Sequence, residues 1–221
     1  MSDAAPRRRG VAALVASVGA GAAAWLLSIT PVQEGVILRG YLDDLGIPTK
    51  CMGDTRDVVV GQKYSMAECQ ESMAGALLRH ARSVLACAPE LKGAPPSVLA
   101  AGISWDYNTG ALCNPRKAAL RELAARRDWP AFCSALLYGR DGRVYYVTGV
   151  DATGQRVFLP GLLKRRYVEY AICVTDLPER ERPSTHMINA RARADLDRIT
   201  RMAQAELASL QTFDVLEVAK Q

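Results

Sequence analysis

Two carboxylates and a hydroxyl come first. Glu34 stands in an apolar run, with Val32, Val36, Ile37 and Leu38 around it at what reads as helical spacing. Asp43 follows nine residues later and Thr49 six beyond that. Gly40-Tyr41 breaks the run, and Gly46 and Pro48 follow, so Asp43 falls on a turn or short strand. One carboxyl then sits in apolar surroundings that favour its neutral form, the other in a solvated turn that favours the anion. Glycosidic hydrolysis needs such a pair: an acid for the leaving oxygen and an anion that serves the water or the anomeric carbon. The spacing alone does not single out this chemistry, because carboxylates outside a perturbing cleft rarely have a special role.

Other reactive types give less. The six cysteines, Cys51, Cys69, Cys87, Cys113, Cys133 and Cys173, include no C-x-x-C pair, and the only histidines are His80 and His186. A metal site is therefore not expected, and nothing calls for a cofactor. An even set of cysteines reads as disulfides made outside the cytoplasm, with buried free thiols as the alternative, and residue types alone leave the pairing open. A cysteine peptidase built on Cys51 or Cys87 with His80 has no local signature. His80 reads as a histidine at the core edge or surface.

The elements that would position these groups come from composition and pattern. The chain has 221 residues, 49% of them hydrophobic, and a net charge of +5. That length allows one domain plus extras, and the charge suits an anionic partner: nucleic acid, membrane surface or cell wall. No zinc finger, helix-turn-helix or aromatic RNA-binding strand is legible, so nucleic acid is not an expected partner.

Arg7, Arg8 and Arg9 precede an uncharged stretch, Gly10 to Ile29. About twenty helical residues span a bilayer core, and the arginines would keep the N-terminus cytoplasmic. The inner membrane is thus an expected partner of a transmembrane-type helix. It reads as a cleaved signal peptide with a site near Ala22 to Ala24, a permanent anchor, or a segment that inserts and later leaves the bilayer intact. The third is preferred, because small side chains weaken membrane residence.

From Val32 to Gly40 the pattern predicts a helix, then a small antiparallel sheet over Tyr41 to Val60. Ser65 and Glu68 form a capping box that starts a helix to about Ala86, with Met73, Ala76, Leu77, His80 and Val84 on one face. Ser97 is expected to cap a helix ending at Asn108, with Gly110 left-handed. Asn114-Pro115 opens a helix with a basic face (Arg116, Lys117, Arg121, Arg126, Arg127), and Asp128 starts the next. Val144–Val147 and Gln155–Phe158 flank a turn and read as an inserted hairpin. A charged linker, Pro178 to Pro183, leads to an amphipathic helix with Leu196, Ile199, Ala203, Leu207 and Leu210 on one stripe. That stripe either packs on the core, pairs with a copy of itself or binds a partner. The expected division is 1–31, 32–177 with a hairpin at about 138–158, and 178–221.

Three segments carry a family resemblance. Glu34-Gly-x-x-Leu-x-x-Tyr-x-Asp43, then Gly46-x-Pro-Thr49 and Gly53-x-Thr55, resembles the active-site segment of the phage-type lysozymes, glycoside hydrolase family twenty-four. Ile103 to Gly110 resembles that family's apolar-Tyr-Asn-x-Gly helix, and Leu159 to Cys173 its Gly-Leu-x-x-Arg-Arg helix. The resemblance implies an α+β, lysozyme-like fold: a mainly helical lobe with a small antiparallel sheet. It implies a muramidase cutting the β-1,4 bond between N-acetylmuramic acid and N-acetylglucosamine in peptidoglycan glycan strands, for host lysis. Glu34 becomes the general acid, Asp43 the anion and Thr49 the residue holding water, with inversion at the anomeric carbon. Tyr107 and Asn108 would line the cleft, Asn108 touching sugar or capping its helix. The family's usual positions imply Cys51–Cys69 and Cys133–Cys173, leaving Cys87–Cys113. The N-terminus is similar to that of signal-anchor-release endolysins, which implies export, inner-membrane tethering and then a periplasmic enzyme.

The chain departs from the family at Met52, where an aromatic is usual, and at Asp54, where His is usual. Asp54 is expected to break an ion pair or to find an arginine such as Arg56. These departures motivate the alternative of a catalytically weakened lysozyme-fold protein that binds peptidoglycan or serves structurally. Tyr138 to Arg143 replaces the family's usual Trp and Gly-Gly loop.

Overall fold

A computed structural model describes residues 5–43, 46–115, 118–139, 144–150, 153–182 and 190–211. The chain begins with two helices, α1 (Ala5–Val18) and α2 (Ala20–Glu34), separated at Gly19. Leu14 on α1 and Ala22, Ala23, Ala24, Leu26 and Ile29 on α2 are buried. The stretch expected to form one transmembrane-type helix is here two helices packed into the core. No described helix is long and apolar enough to cross a membrane. The small residues instead let neighbouring helices approach closely, as ridges pack into shallow grooves. α1 lies along α3 (Met66–Cys87), and α2 packs against α4 (Pro96–Thr109) and α8 (Ala190–Gln211). The N–H of Gly10 donates to the Glu71 carboxylate on α3 at 3.0 Å. The buried hydroxyls of Ser28 and Thr30 donate to the carbonyls of Ala24 and Leu26 within α2, so neither is orphaned. Pro31 lies inside α2, which runs through residues 31 and 32 unbroken.

The helix expected over Val32 to Gly40 is corrected. α2 stops at Glu34 because Gly35 takes a positive φ of 71°, a helix terminus that glycine adopts without a Cβ clash. β1 (Ile37–Leu42) follows and pairs antiparallel with β2 (Pro48–Cys51), Tyr41 opposite Thr49. Val36, Ile37 and Leu38 are exposed, so their apolar spacing marked no helix face buried in the core.

α3 starts as predicted, with both arms of the Ser65–Glu68 capping box formed. α4 starts differently. Pro95 takes the cap position, and Ser97 lies in the first turn. Its N–H donates to Asp176 at 2.9 Å and its hydroxyl to the Cys173 carbonyl at 3.2 Å. Gly110 ends α4 in the left-handed conformation, as expected. α5 (Ala119–Ala125) begins later than the Asn114-Pro115 signal, and Arg116 and Lys117 of the basic face lie outside the described residues. α6 (Trp129–Leu137) is capped by Asp128, which accepts from the Ala131 N–H at 3.1 Å.

The inserted hairpin is β3 (Thr148–Val150) paired with β4 (Arg156–Phe158). Its first strand starts later than predicted: Val144 bridges Tyr138, and Tyr146 has a positive φ of 59° that turns the chain. α7 (Pro160–Cys173) crosses the core against α4 and α6. Ile199, Ala203 and Leu210 of α8 are buried, α8 packs on α2 and α7, and Lys164 pairs with Asp195 at 2.8 Å. The stripe on α8 therefore packs on the core, the first of the three uses expected for it. Three disulfides, Cys51–Cys69, Cys87–Cys113 and Cys133–Cys173, tie β2 to α3, the end of α3 to the loop after α4, and α6 to α7. These are the pairings the resemblance implied.

Candidate active site

The last residue of α2, Glu34, meets α7. Arg165, only 4% exposed, donates through Nη1 to Oε1 of Glu34. Its Nε donates to Oε1 of Glu169 at 3.0 Å, and its Nη2 to the Ser104 carbonyl at 3.3 Å. Glu169 is fully buried; it accepts from the Ser104 hydroxyl at 3.0 Å and pairs with Arg166 at 2.9 Å. Two arginines and two glutamates thus balance in a water-poor setting, where removing one member leaves an uncompensated charge. Burial pulls the Arg165 guanidinium down, but the carboxylates of Glu169 and Glu34 outweigh it and hold the pKa above the usual arginine value. Burial pushes Arg166 below it.

With Oε1 of Glu34 committed to Arg165, Oε2 faces Gly53. A Cβ placed on Gly53 would stand 3.3 Å from Oε2 and 3.7 Å from the Tyr107 hydroxyl. Gly53 also has a positive φ of 84°. Both the backbone shape and the space beside Glu34 therefore favour glycine. Tyr107 donates to the Met52 carbonyl at 2.9 Å, tying α4 to the chain beyond β2. Burial first, then the charges of Glu34 and Asp54, push its phenol far above the usual range, so Tyr107 is a neutral donor.

Asp43 and Thr49 form a second group on the β1–β2 turn. The Ile47 N–H donates to Asp43 Oδ1 at 2.8 Å, and the Thr49 hydroxyl donates to the Ile47 carbonyl at 3.0 Å. The backbone of one residue, Ile47, therefore holds both side chains. Thr49 is 5% exposed, which limits its rotamer freedom. The chain from Thr49 through Cys51 and Met52 to Gly53 joins this group to the one around Glu34.

Asn108 accepts from Arg166 at 2.8 Å through Oδ1, so its side chain is braced by the buried ion cluster. The Gly110 N–H, bonded to the Asp106 carbonyl, closes the helix. Asp54 finds an arginine, but Arg79 rather than the Arg56 side chain, at 3.3 Å. It also accepts from Ser72 and, at 3.2 Å, from the Arg56 backbone N–H. His80 sits at the core edge, as expected, with Nδ1 2.8 Å from Asp106 and its ring 5.1 Å from that of Tyr107.

Sequence reasoning assigned no role to Arg165, Glu169, Ser104 or Gly53. A signal for the first two exists. Arg165, Val168, Glu169 and Ile172 recur at helical spacing, so the core face of α7 carries two opposite charges that must be paired.

The phage lysozyme family matches the chain over residues 32–169. No curated protein matches it. Among solved structures, the active form of P1 phage endolysin Lyz shares 21% identity, covering 68% of this chain and 83% of that one, with a TM-score of 0.56. The endolysin from Escherichia coli O157:H7 phage FAHEc1 shares 19%, covering 72% and 94%, with a TM-score of 0.54. Both likenesses are of fold.

Proposed function

Because the chain belongs to the phage lysozyme family, a family of glycoside hydrolases acting on peptidoglycan, we propose that it is a muramidase. It cuts the β-1,4 bond between N-acetylmuramic acid and N-acetylglucosamine and serves host-cell lysis. The observation that carries this reading is the fixed position of Glu34. Arg165 clamps one carboxyl oxygen from a buried cluster and leaves the other toward Gly53 and Tyr107.

In its protonated form, with Oε1 still accepting from Arg165, Glu34 gives the proton on Oε2 to the leaving glycosidic oxygen. Asp43, held by the Ile47 N–H, is the carboxylate that supports the positive charge developing at the anomeric carbon or takes a proton from water. Thr49 uses its remaining lone pair to hold that water, and attack from the opposite face inverts the centre. Replacing Glu34 by Gln keeps the shape and removes the proton. Peptidoglycan hydrolysis, read by zymography and by mass analysis of new reducing ends, should fall by about a hundred- to ten-thousand-fold. An active Glu34→Gln protein would end this assignment.

The two departures that motivated a weakened scaffold both find internal partners. Asp54 has Arg79 and Ser72, and buried Met52 offers its carbonyl to Tyr107. Those partners favour the enzyme over the scaffold.

The N-terminal stretch fits the release reading. Cleavage near Ala22 to Ala24 would strip Leu14 and Ala22 from the core and uncover α3 and α4. A retained segment inserts during export, then leaves the bilayer to become α1 and α2, and only then does Glu34 meet Arg165. The periplasmic protein should therefore keep its N-terminus intact. A mature chain beginning near residue 24 would instead mark a cleaved signal peptide.

A further inference from the structure

β1 has a neighbour besides β2. The Gly40 N–H donates to the Gln62 carbonyl at 2.8 Å, and the Tyr64 N–H donates to the Leu38 carbonyl at 3.0 Å. This bonding makes Arg39 and Lys63 a non-hydrogen-bonded antiparallel pair, the kind whose side chains stand closest, with Cα atoms about 4.5 Å apart. Two like charges directly opposite each other destabilise the pairing. Both residues are exposed, and among the described residues no carboxylate pairs with either. Gly40 lets the returning loop lie against the strand, since a Cβ there would stand 2.1 Å from the Val59 carbonyl oxygen. That loop holds Val59 and Val60 in solvent, 59% and 54% exposed. Ile37, Leu38, Leu42 and Ile47, on β1 and the turn after it, are exposed as well.

This surface is aliphatic, with no exposed aromatic ring among its large apolar side chains. Cations outnumber acids beside it. Lys50 donates to the Asp57 carbonyl at 3.2 Å and lies 5.4 Å from the centre of the Tyr64 ring, and Arg56 is exposed. Asp54 is paired with Arg79 and Asp43 accepts from the Ile47 N–H, so Asp57 is the exposed acid of the loop. A broad exposed apolar surface marks contact with a protein or a membrane. Protein interfaces favour aromatic anchors and are poor in lysine. A lipid surface takes aliphatic side chains at its headgroup boundary and sets its phosphates against cations.

We propose that this face of the β1 lobe docks on an anionic phospholipid surface. A lipid phosphate sits between Arg39 and Lys63 and offsets their repulsion, while Val59 and Val60 enter the headgroup boundary. The contact is separate from α1 and α2, whose apolar faces are packed into the core, and it does not depend on the muramidase reading.

The test is co-sedimentation of the full chain with phosphatidylglycerol–phosphatidylcholine vesicles and with pure phosphatidylcholine vesicles. Wild type is compared with Arg39→Gln/Lys63→Gln, with Val59→Ser/Val60→Ser and with Arg198→Gln/Arg201→Gln on α8, a control of equal charge change. All six positions are exposed. Thermal melts check folding, and loss of the like-charge pair should leave the midpoint unchanged or raise it. Wild type should bind the anionic vesicles and not the neutral ones. Each cation near such a surface is worth about fivefold in affinity, so Arg39→Gln/Lys63→Gln should bind roughly twenty- to thirtyfold more weakly. The control, with its charges away from the lipid, should stay within about threefold of wild type. Val59→Ser/Val60→Ser should lose the binding that survives high salt. Equal loss in the control, equal binding to the two vesicle types, or no binding to either overturns the proposal. Inorganic phosphate titrated by calorimetry should bind far more weakly than the vesicles; comparable affinity would make this a free-anion site and overturn it. A dimer that Val59→Ser/Val60→Ser dissociates would mark a protein contact instead, with the same consequence.

Discussion

Gly53→Ala is the sharpest probe of how the loop after β2 positions Glu34, the proposed acid. Two separable effects follow from the structure. The first is backbone strain: at φ +84° an alanine pays roughly 1–2 kcal/mol that glycine does not. For a chain of this size that lowers the thermal midpoint by roughly 2–8 °C. The second is local. The new methyl would stand 3.3 Å from Oε2 of Glu34, tighter than ordinary contact, so the carboxylate must retreat by a few tenths of an ångström. A misplacement of about 1 Å costs about a hundredfold in rate, so a few tenths cost roughly three- to tenfold in kcat. Gly61→Ala separates the two. Gly61 also has a positive φ, +88°, but an added Cβ meets nothing within 4 Å. Both variants should lose comparable stability in thermal melts, and only Gly53→Ala should lose turnover of purified sacculi, assayed well below either midpoint. Equal activity in the two would refute the placement of Glu34 Oε2 as the proton donor.

Further outcomes follow from the packing and the charges. Leu14→Ala removes a fully buried side chain from α1 and should cost about 2–5 kcal/mol in denaturant unfolding; a cost near zero would mean α1 is not docked in solution. Breaking Cys87–Cys113 by paired alanine substitution releases a closure of 26 residues and should cost about 3–4 kcal/mol, read from the shift in unfolding midpoint. Burial pushes the Glu71 carboxyl above its usual value of 4.5, against the pull of the Gly10 N–H. The folded chain therefore holds that proton more tightly, and stability is lost as pH rises from 4.5 through the raised value, then levels. Glu71→Gln keeps an acceptor for Gly10 and removes the titration. Its stability relative to wild type should climb across that window and plateau at neutral pH, and a flat difference would sink the argument.

What could be read without the fold was local chemistry. The Ser65–Glu68 box, the Asp128 cap and the left-handed Gly110 each satisfy backbone groups within a few residues, so their signals survive in the linear chain. Motif resemblance added Glu34, Asp43 and Thr49 as site candidates and the three cysteine pairs.

Long-range choices were not legible. An uncharged run rich in alanine and glycine satisfies a bilayer and a protein core alike, because both accept apolar side chains and internally bonded helix backbone. The faces of α3, α4 and α8, far along the chain, decide for the core. Val36 to Leu38 read as helix because apolar spacing over so short a run has no unique period; Gly35 and the pairing partner β2 made it strand. Asp54 found Arg79 rather than nearby Arg56, since α3 brings that guanidinium across 25 residues of sequence. The clamp on Glu34 comes from α7, 131 residues away. Residue types and neighbours determined which groups are reactive and how each helix begins and ends. Tertiary packing alone decided which charges meet in a buried place, because that depends on which distant surfaces exclude water together.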